Sequence, residues 1–152
     1  MAVGKFLFTV SVATLLVSSH LAASAADKQA IHSTDAPAAI GPYSQAVKFG
    51  DTLYLSGQGA FDPKTNQAMA AAPIEEQTKQ VLENLKAILS ASGMAMSDIV
   101  STTVYLTDIG DFSKMNAIYG TYFKDIPPAR ATVEVSKLPR NLKVEISAIA
   151  RK

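Results

Sequence analysis

An arginine at position 130 and a glutamate at position 145 stand in two C-terminal stretches that alternate with period two. In "ARATVEV", Arg130, Thr132 and Glu134 share one face of a strand and Ala131, Val133 and Val135 share the other. In "KVEISAIA", Val144, Ile146 and Ala148 share a face, with Lys143, Glu145 and Ser147 opposite. If the two strands pair antiparallel without a bulge, both apolar sets must lie on one side, because a slip of one residue turns a whole set over. Arg130, Thr132 and Glu145 then meet on the other side. A guanidinium grips a carboxylate through two parallel charge-assisted bonds, each worth about 1.5 to 3 kcal/mol away from water. A carboxyl group beside it moves protons or positions water. Together they suit a small anionic substrate. An ion pair that closes a subunit contact uses the same residues and needs no substrate.

Weaker signals lie elsewhere. Asn116 falls on the apolar stripe of a helical segment, where its amide needs a partner, either a neighbouring backbone or a ligand. "GPYSQ" holds Tyr43 and Ser44 in a constrained turn. "YLSGQGA" ends a strand on Gly57 and Gly59, where missing side chains let backbone amides approach a ligand. A GxG without a third glycine and a βαβ unit is no dinucleotide site. Past the first 25 residues His32 is the only histidine, cysteine is absent, and the acids show no ligand spacing, so no metal is expected. No Lys-Ser/Thr phosphate loop and no serine with a placed histidine appear, which sets aside nucleotide and Ser-His chemistry.

The elements that must position these residues read as strands and two helices. "KQAIHST" is a short strand and "DAPAAIGPYSQ" a loop; "AVKFGDTLYLSGQGAF" is a hairpin turning at Gly50-Asp51. From Pro73, the spacing of Ile74, Val81, Leu82, Leu85, Ile88 and Leu89 predicts a helix, with Glu75 and Glu76 in its first turn and Gly93 past its end. "DIVSTTVYLTDIGD" is a strand with Val100, Thr102, Val104 and Leu106 on one face. Asp111 caps a second helix with the stripe Phe112, Met115, Asn116, Tyr119, Tyr122 and Phe123. Two strands linked by "LPRN" end the chain. Three strands, helix, strand, helix and two strands make an α+β domain: a mixed sheet of about six strands with two helices on one face. The other strand face is rich in Ser, Thr and Tyr but poor in charge, so a second copy of the chain is expected to cover it as a homo-oligomer.

At 152 residues there is room for one domain with a sizeable core. Residues 1–25 read as a cleavable secretory signal: Lys5, an apolar run from Phe6 to Val17, then Ala23, Ser24 and Ala25. This predicts an exported domain, residues 26–152, periplasmic or secreted. Losing Lys5 takes the formal charge from +1 to zero, so the domain has no net pull on phosphates and no nucleic acid is expected as partner.

At these residues the chain resembles the Rid family of reactive intermediate deaminases, also called YjgF-like proteins, and within it the RidA branch. The resemblance runs through "APAAIGPYSQAV", "LYLSGQ", "VLENLKAILSASG", "DIVSTTVYLTDIGDFSKMNAIYGTYF", "PPARATVEVSKLP" and "KVEISAIA" in order. It implies a chorismate-mutase-like fold, a homotrimer, sites in the clefts between subunits, and no cofactor. The implied activity is hydrolysis of 2-imino or enamine acids to 2-oxo acids and ammonia. Arg130 would bind the substrate carboxylate and Glu145 would handle water and protons. Tyr43, Ser56 and Asn116 would line the pocket, with Gly57 and Thr132 adding contacts. Thr132 stands where the best-known members have cysteine, which keeps a small polar group and removes a thiol. The rival readings are a non-catalytic trimer that binds small acids, or one that acts as a chaperone through exposed apolar surface. A ribonuclease reading fits poorly with zero net charge.

Overall fold

The computed structural model describes Met1 and residues 27–152. Six strands form one mixed sheet: β1 (Lys28–Ile31), β2 (Ala46–Phe49), β3 (Thr52–Gly59), β4 (Ile99–Leu106), β5 (Ala129–Glu134) and β6 (Val144–Arg151), in the order β1-β2-β3-β6-β4-β5. Helices α1 (Ile74–Ala91) and α2 (Phe112–Tyr119) connect β3 to β4 and β4 to β5. Their apolar stripes pack on one face of the sheet, as the order of elements predicts.

The predicted helix from Pro73 forms as read. Proline serves as its N-cap, and the chain leaves through Gly93 at φ 74, a left-handed conformation that glycine adopts freely. Met94 N–H reaches back to the Leu89 carbonyl at 2.9 Å and Gly93 N–H to Ser90 at 3.0 Å, which closes the last turn. Val81, Leu82, Leu85, Ile88 and Leu89 of α1 are fully buried against Leu53, Val104, Val144 and Ile146 of the sheet. Each such side chain contributes about 1.5 to 3 kcal/mol by leaving water.

Buried amides fasten the loops to this core. Gln77, on the first turn of α1, donates to the carbonyls of Met69 at 3.1 Å and Ala72 at 3.0 Å, and accepts from Lys143 N–H at 2.9 Å. It therefore ties the loop before the helix to the start of β6, two residues from Glu145. Replacing it as Gln77→Leu strands those groups inside, and we expect a loss of about 2 to 4 kcal/mol in unfolding free energy by chemical denaturation. A loss below about 1 kcal/mol would mean that water or backbone movement satisfies them instead.

Three local readings need correction. Val100 is half exposed, at 50%, because β4 slips register against β6 between Ile99 and Ser101, and Ile99 takes the buried place. The cap before α2 is Asp108, whose side chain accepts from Gly110 N–H at 2.8 Å and opens a short 3-10 turn; Asp111 makes no capping bond. The third touches the site. β5 and β6 do not pair, because β4 lies between them, parallel to β5 and antiparallel to β6. The segment containing "LPRN" is a crossover past β4 and not a hairpin.

Among the described residues, no helix covers the other face of the sheet. Phe49, Tyr54, Val133 and Ile149 present 52%, 50%, 42% and 37% of their surface there. It is more apolar than the serine and threonine content suggested.

Candidate functional site

The register fixes the side of the sheet on which each polar group stands. Arg130 pairs with Thr102 and Glu145 pairs with Tyr105, both on β4. Thr102 and Tyr105 are three residues apart, so their side chains point to opposite faces, and so do those of Arg130 and Glu145. The expected meeting of Arg130, Thr132 and Glu145 on one face of a single chain is thus corrected. Arg130 and Thr132 share the helix side, while Glu145 lies on the uncovered side. The antiparallel pairing assumed for the last two strands put them together; the intervening strand separates them.

Around Arg130 the pieces form a platform. Pro127 and Pro128 lead the chain extended into the edge strand β5. The guanidinium donates from Nη2 to Asn116 Oδ1 at 2.8 Å, and its Cζ lies 4.5 Å from the Tyr119 ring centroid and 5.7 Å from that of Phe112. Tyr119 is buried, with its hydroxyl 2.8 Å from Thr102 Oγ1. Burial raises the pKa of its phenol, against the opposing effects of the Thr102 bond and the Arg130 charge. Asn116, predicted on the buried stripe, sits at its exposed edge and spends its carbonyl on the arginine. A cleft of about 360 Å³ opens here between Asn116, Tyr119, Phe123, Pro127, Pro128 and Arg130. Thr132 follows on the same face, its Oγ1 buried without a partner.

Glu145 belongs to a second group. A register shift in β3 between Leu55 and Gln58 gives Ser56 and Gly57 a bulge, and Gly57 turns its bare Cα toward the Glu145 carboxyl. Any side chain at position 57 would collide with that carboxyl. Glu145 is half-buried, and desolvation raises its pKa above the ordinary glutamate value. It shares a cleft of about 220 Å³ with Tyr43 and Gly57. Ser56 does not line it: its hydroxyl donates to the Ser44 carbonyl at 2.7 Å and its N–H to Gln45 O at 3.0 Å, holding the "GPYSQ" turn. Gln45, buried, fixes the other side of that loop through Ser33 N at 2.6 Å and the Pro37 carbonyl at 2.7 Å.

The predicted residues therefore fall into two separate groups, one with Arg130, Asn116 and Thr132, the other with Tyr43, Gly57 and Glu145, and Ser56 as a brace behind the second. The Phe112–Tyr119 platform was read only as core, although its spacing with Asn116 puts all three on one helix face. Gln45 and Gln77 carried no signal, since a glutamine's role depends on which carbonyls the fold brings to it.

The family model described as Endoribonuclease L-PSP matches residues 33–152. The chain belongs to this family, the Rid or YjgF-like proteins. A RutC family protein of Saccharolobus solfataricus is 54% identical over 125 residues, covering 82% of this chain and 98% of its own. The 2-iminobutanoate/2-iminopropanoate deaminase of mouse is 50% identical over 123 residues, 81% of this chain and 90% of its own. The crystal structure of RidA from an Antarctic Psychrobacter superposes with a TM-score of 0.78 at 44% identity, over 82% of this chain and 99% of that one. The six-stranded sheet with two helices is thus the chorismate-mutase-like Rid fold, and Rid membership with a deaminase relative supports imine-deaminase chemistry. A relative in Arabidopsis thaliana, 44% identical over 130 residues, is named a chloroplastic Reactive Intermediate Deaminase A, an address inside the cell, and this overturns the expectation of a periplasmic or secreted domain. The expected signal at residues 1–25 lies, apart from Met1, outside the described residues. An apolar run behind one lysine reports hydropathy and names no destination.

Proposed function

We propose that this Rid protein hydrolyses reactive 2-imino and enamine acids to 2-oxo acids and ammonia, in clefts that two subunits complete. Arg130, Asn116 and Thr132 come from one subunit, and Glu145, Gly57 and Tyr43 from the next. The observation that carries this is the split itself. A pinned guanidinium with free donors and a half-buried carboxyl stand on opposite faces of one sheet, and a second copy against the uncovered face brings one to the other. A trimer closed by such a head-to-tail contact makes every subunit contribute both halves.

The chemistry follows from the groups. Arg130 holds the substrate carboxylate through the N–H donors that Asn116 leaves free. Glu145 takes a proton from a water as its oxygen bonds to the C=N carbon, giving a carbinolamine. The proton then passes to nitrogen, the C–N bond breaks, ammonia leaves, and the hydroxyl loses its proton to become the 2-oxo group. An enamine enters after protonation at its β-carbon. Positioned proton transfer gives about 10²- to 10⁴-fold, enough for a bond that water already cleaves unaided.

The test is a coupled assay on imines released in place by an amino-acid oxidase. We expect 2-iminopropanoate and 2-iminobutanoate to disappear faster with the protein than without it. No acceleration of either would overturn the reading and leave the small-acid-binding or chaperone-like trimer.

A further inference from the structure

Arg130 gets little support from its own strand. β5 is an edge of the sheet, paired only with β4, and Arg130 is exposed on it. An arginine left loose would lose rotamer freedom each time it closed on a ligand. Helix α2 prevents that. Phe112, Asn116 and Tyr119 recur at helical spacing on one face of α2, and the guanidinium rests on them. The Tyr119 ring is the nearer surface, with its centroid 4.5 Å from Cζ against 5.7 Å for Phe112.

Tyr119 is itself fixed. It is 4% exposed, its ring centroid lies 4.6 Å from that of Phe123, and its hydroxyl meets the buried Thr102 Oγ1 at 2.8 Å. Thr102 is the β4 residue that pairs in register with Arg130. Strand, helix and edge strand are thus locked through three side chains. The chemistry of this support matters as much as its rigidity. A carboxylate beside Arg130 would hold it equally well but would use up its charge and two of its donors. No acid among the described residues lies within ion-pair distance of it. A ring face attracts the cation without neutralising it, and the Asn116 carbonyl takes a single hydrogen bond.

We propose that Tyr119 is a positioning residue for the carboxylate clamp: its ring carries the Arg130 guanidinium with charge and donors unspent, and the Thr102 hydroxyl holds that ring in place. The proposal rests on the reading of Arg130 as the group that binds the substrate carboxylate, and adds what aims it.

Tyr119→Leu removes the ring and keeps an apolar side chain. Because the clamp holds the carboxylate before and during the reaction, KM for 2-iminobutanoate should rise about tenfold while kcat stays within about twofold. Calorimetry on two stable ligands separates aim from general packing. The variant should bind 2-oxobutanoate about tenfold more weakly and the uncharged 2-oxobutanamide within about twofold of wild type. Tyr119→Phe, paired with Thr102→Val so that no hydroxyl is stranded inside, keeps the ring and should restore 2-oxobutanoate binding to within about threefold. Pentafluorophenylalanine in place of Tyr119 keeps the size but removes the negative ring face, so it reads the same loss should the leucine variant not fold. If no imine is accelerated but 2-oxobutanoate binding follows the ring in this way, the deaminase reading fails and the positioning role stands. Equal losses for both ligands, no loss for either, no rescue by the phenylalanine pair, or no binding of 2-oxobutanoate to wild type would each overturn the role of Tyr119, whatever the activity.

Discussion

Mixing two inactive variants restores activity. Arg130→Ala removes the carboxylate clamp, and Glu145→Gln removes the proton carrier while keeping the shape that Gly57 accommodates. Arg130→Ala alone should lower kcat/KM by about 10²- to 10³-fold, the loss of one bidentate charge-assisted contact. Glu145→Gln alone should lower it by about 10²- to 10⁴-fold. Because the two groups stand on opposite faces of one sheet, the proposed shared cleft would take its arginine from one subunit and its glutamate from a neighbour. Co-expressed in equal amounts, the variants assemble at random, and about one site in four draws an intact Arg130 and an intact Glu145 from different chains. Activity should therefore return to about a quarter of the wild-type value. Were both groups supplied by one chain, the mixture would be as inactive as its components, and the shared cleft would be ruled out. Size measurements on the same samples show whether the variants still assemble.

That split was the part of the site the sequence hid. The alternation in "ARATVEV" and "KVEISAIA" correctly put Arg130 with Thr132 and Glu145 away from Val144 and Ile146. It held no information on which strand lies beside which. Strands close in sequence usually pair, and β5 and β6 break that tendency because the chain from β5 crosses β4 before returning. The helices were legible because their periodicity, Pro73 and Gly93 are local signals. Val100 was misplaced because a bulge depends on the partner strand, which no single segment reveals. Gln77 acts through backbone groups that distant segments bring to it, so only the fold gives it a role.

The pH dependence tests what the cleft does to Glu145. Burial raises its pKa in the folded chain, and no charge among the described residues opposes that effect. In the proposed shared cleft a neighbour's Arg130 would pull the other way, but a bound substrate carboxylate would occupy that charge. Desolvation should then prevail. As the acceptor of a proton from water, Glu145 must be ionised, so kcat should fall as pH drops through a value above the ordinary glutamate range. This limb should vanish in Glu145→Gln, which separates it from titration of the imine itself. The sign for stability is the reverse of the common acid case. The folded state binds this proton more tightly than the unfolded chain does, so from the ordinary glutamate pKa up through the raised one stability declines with pH, and the penalty is complete above it. Glu145→Gln should therefore melt higher than wild type at pH 8, and the gap should close as the solution is acidified toward the ordinary glutamate value. An acid limb at or below that value, with no gain in melting temperature, would mean that Arg130 and not desolvation sets the charge of the carboxyl group. Glu145 would then be a fixed anion that orients water, and the proton for the departing ammonia would have to come from the solvent.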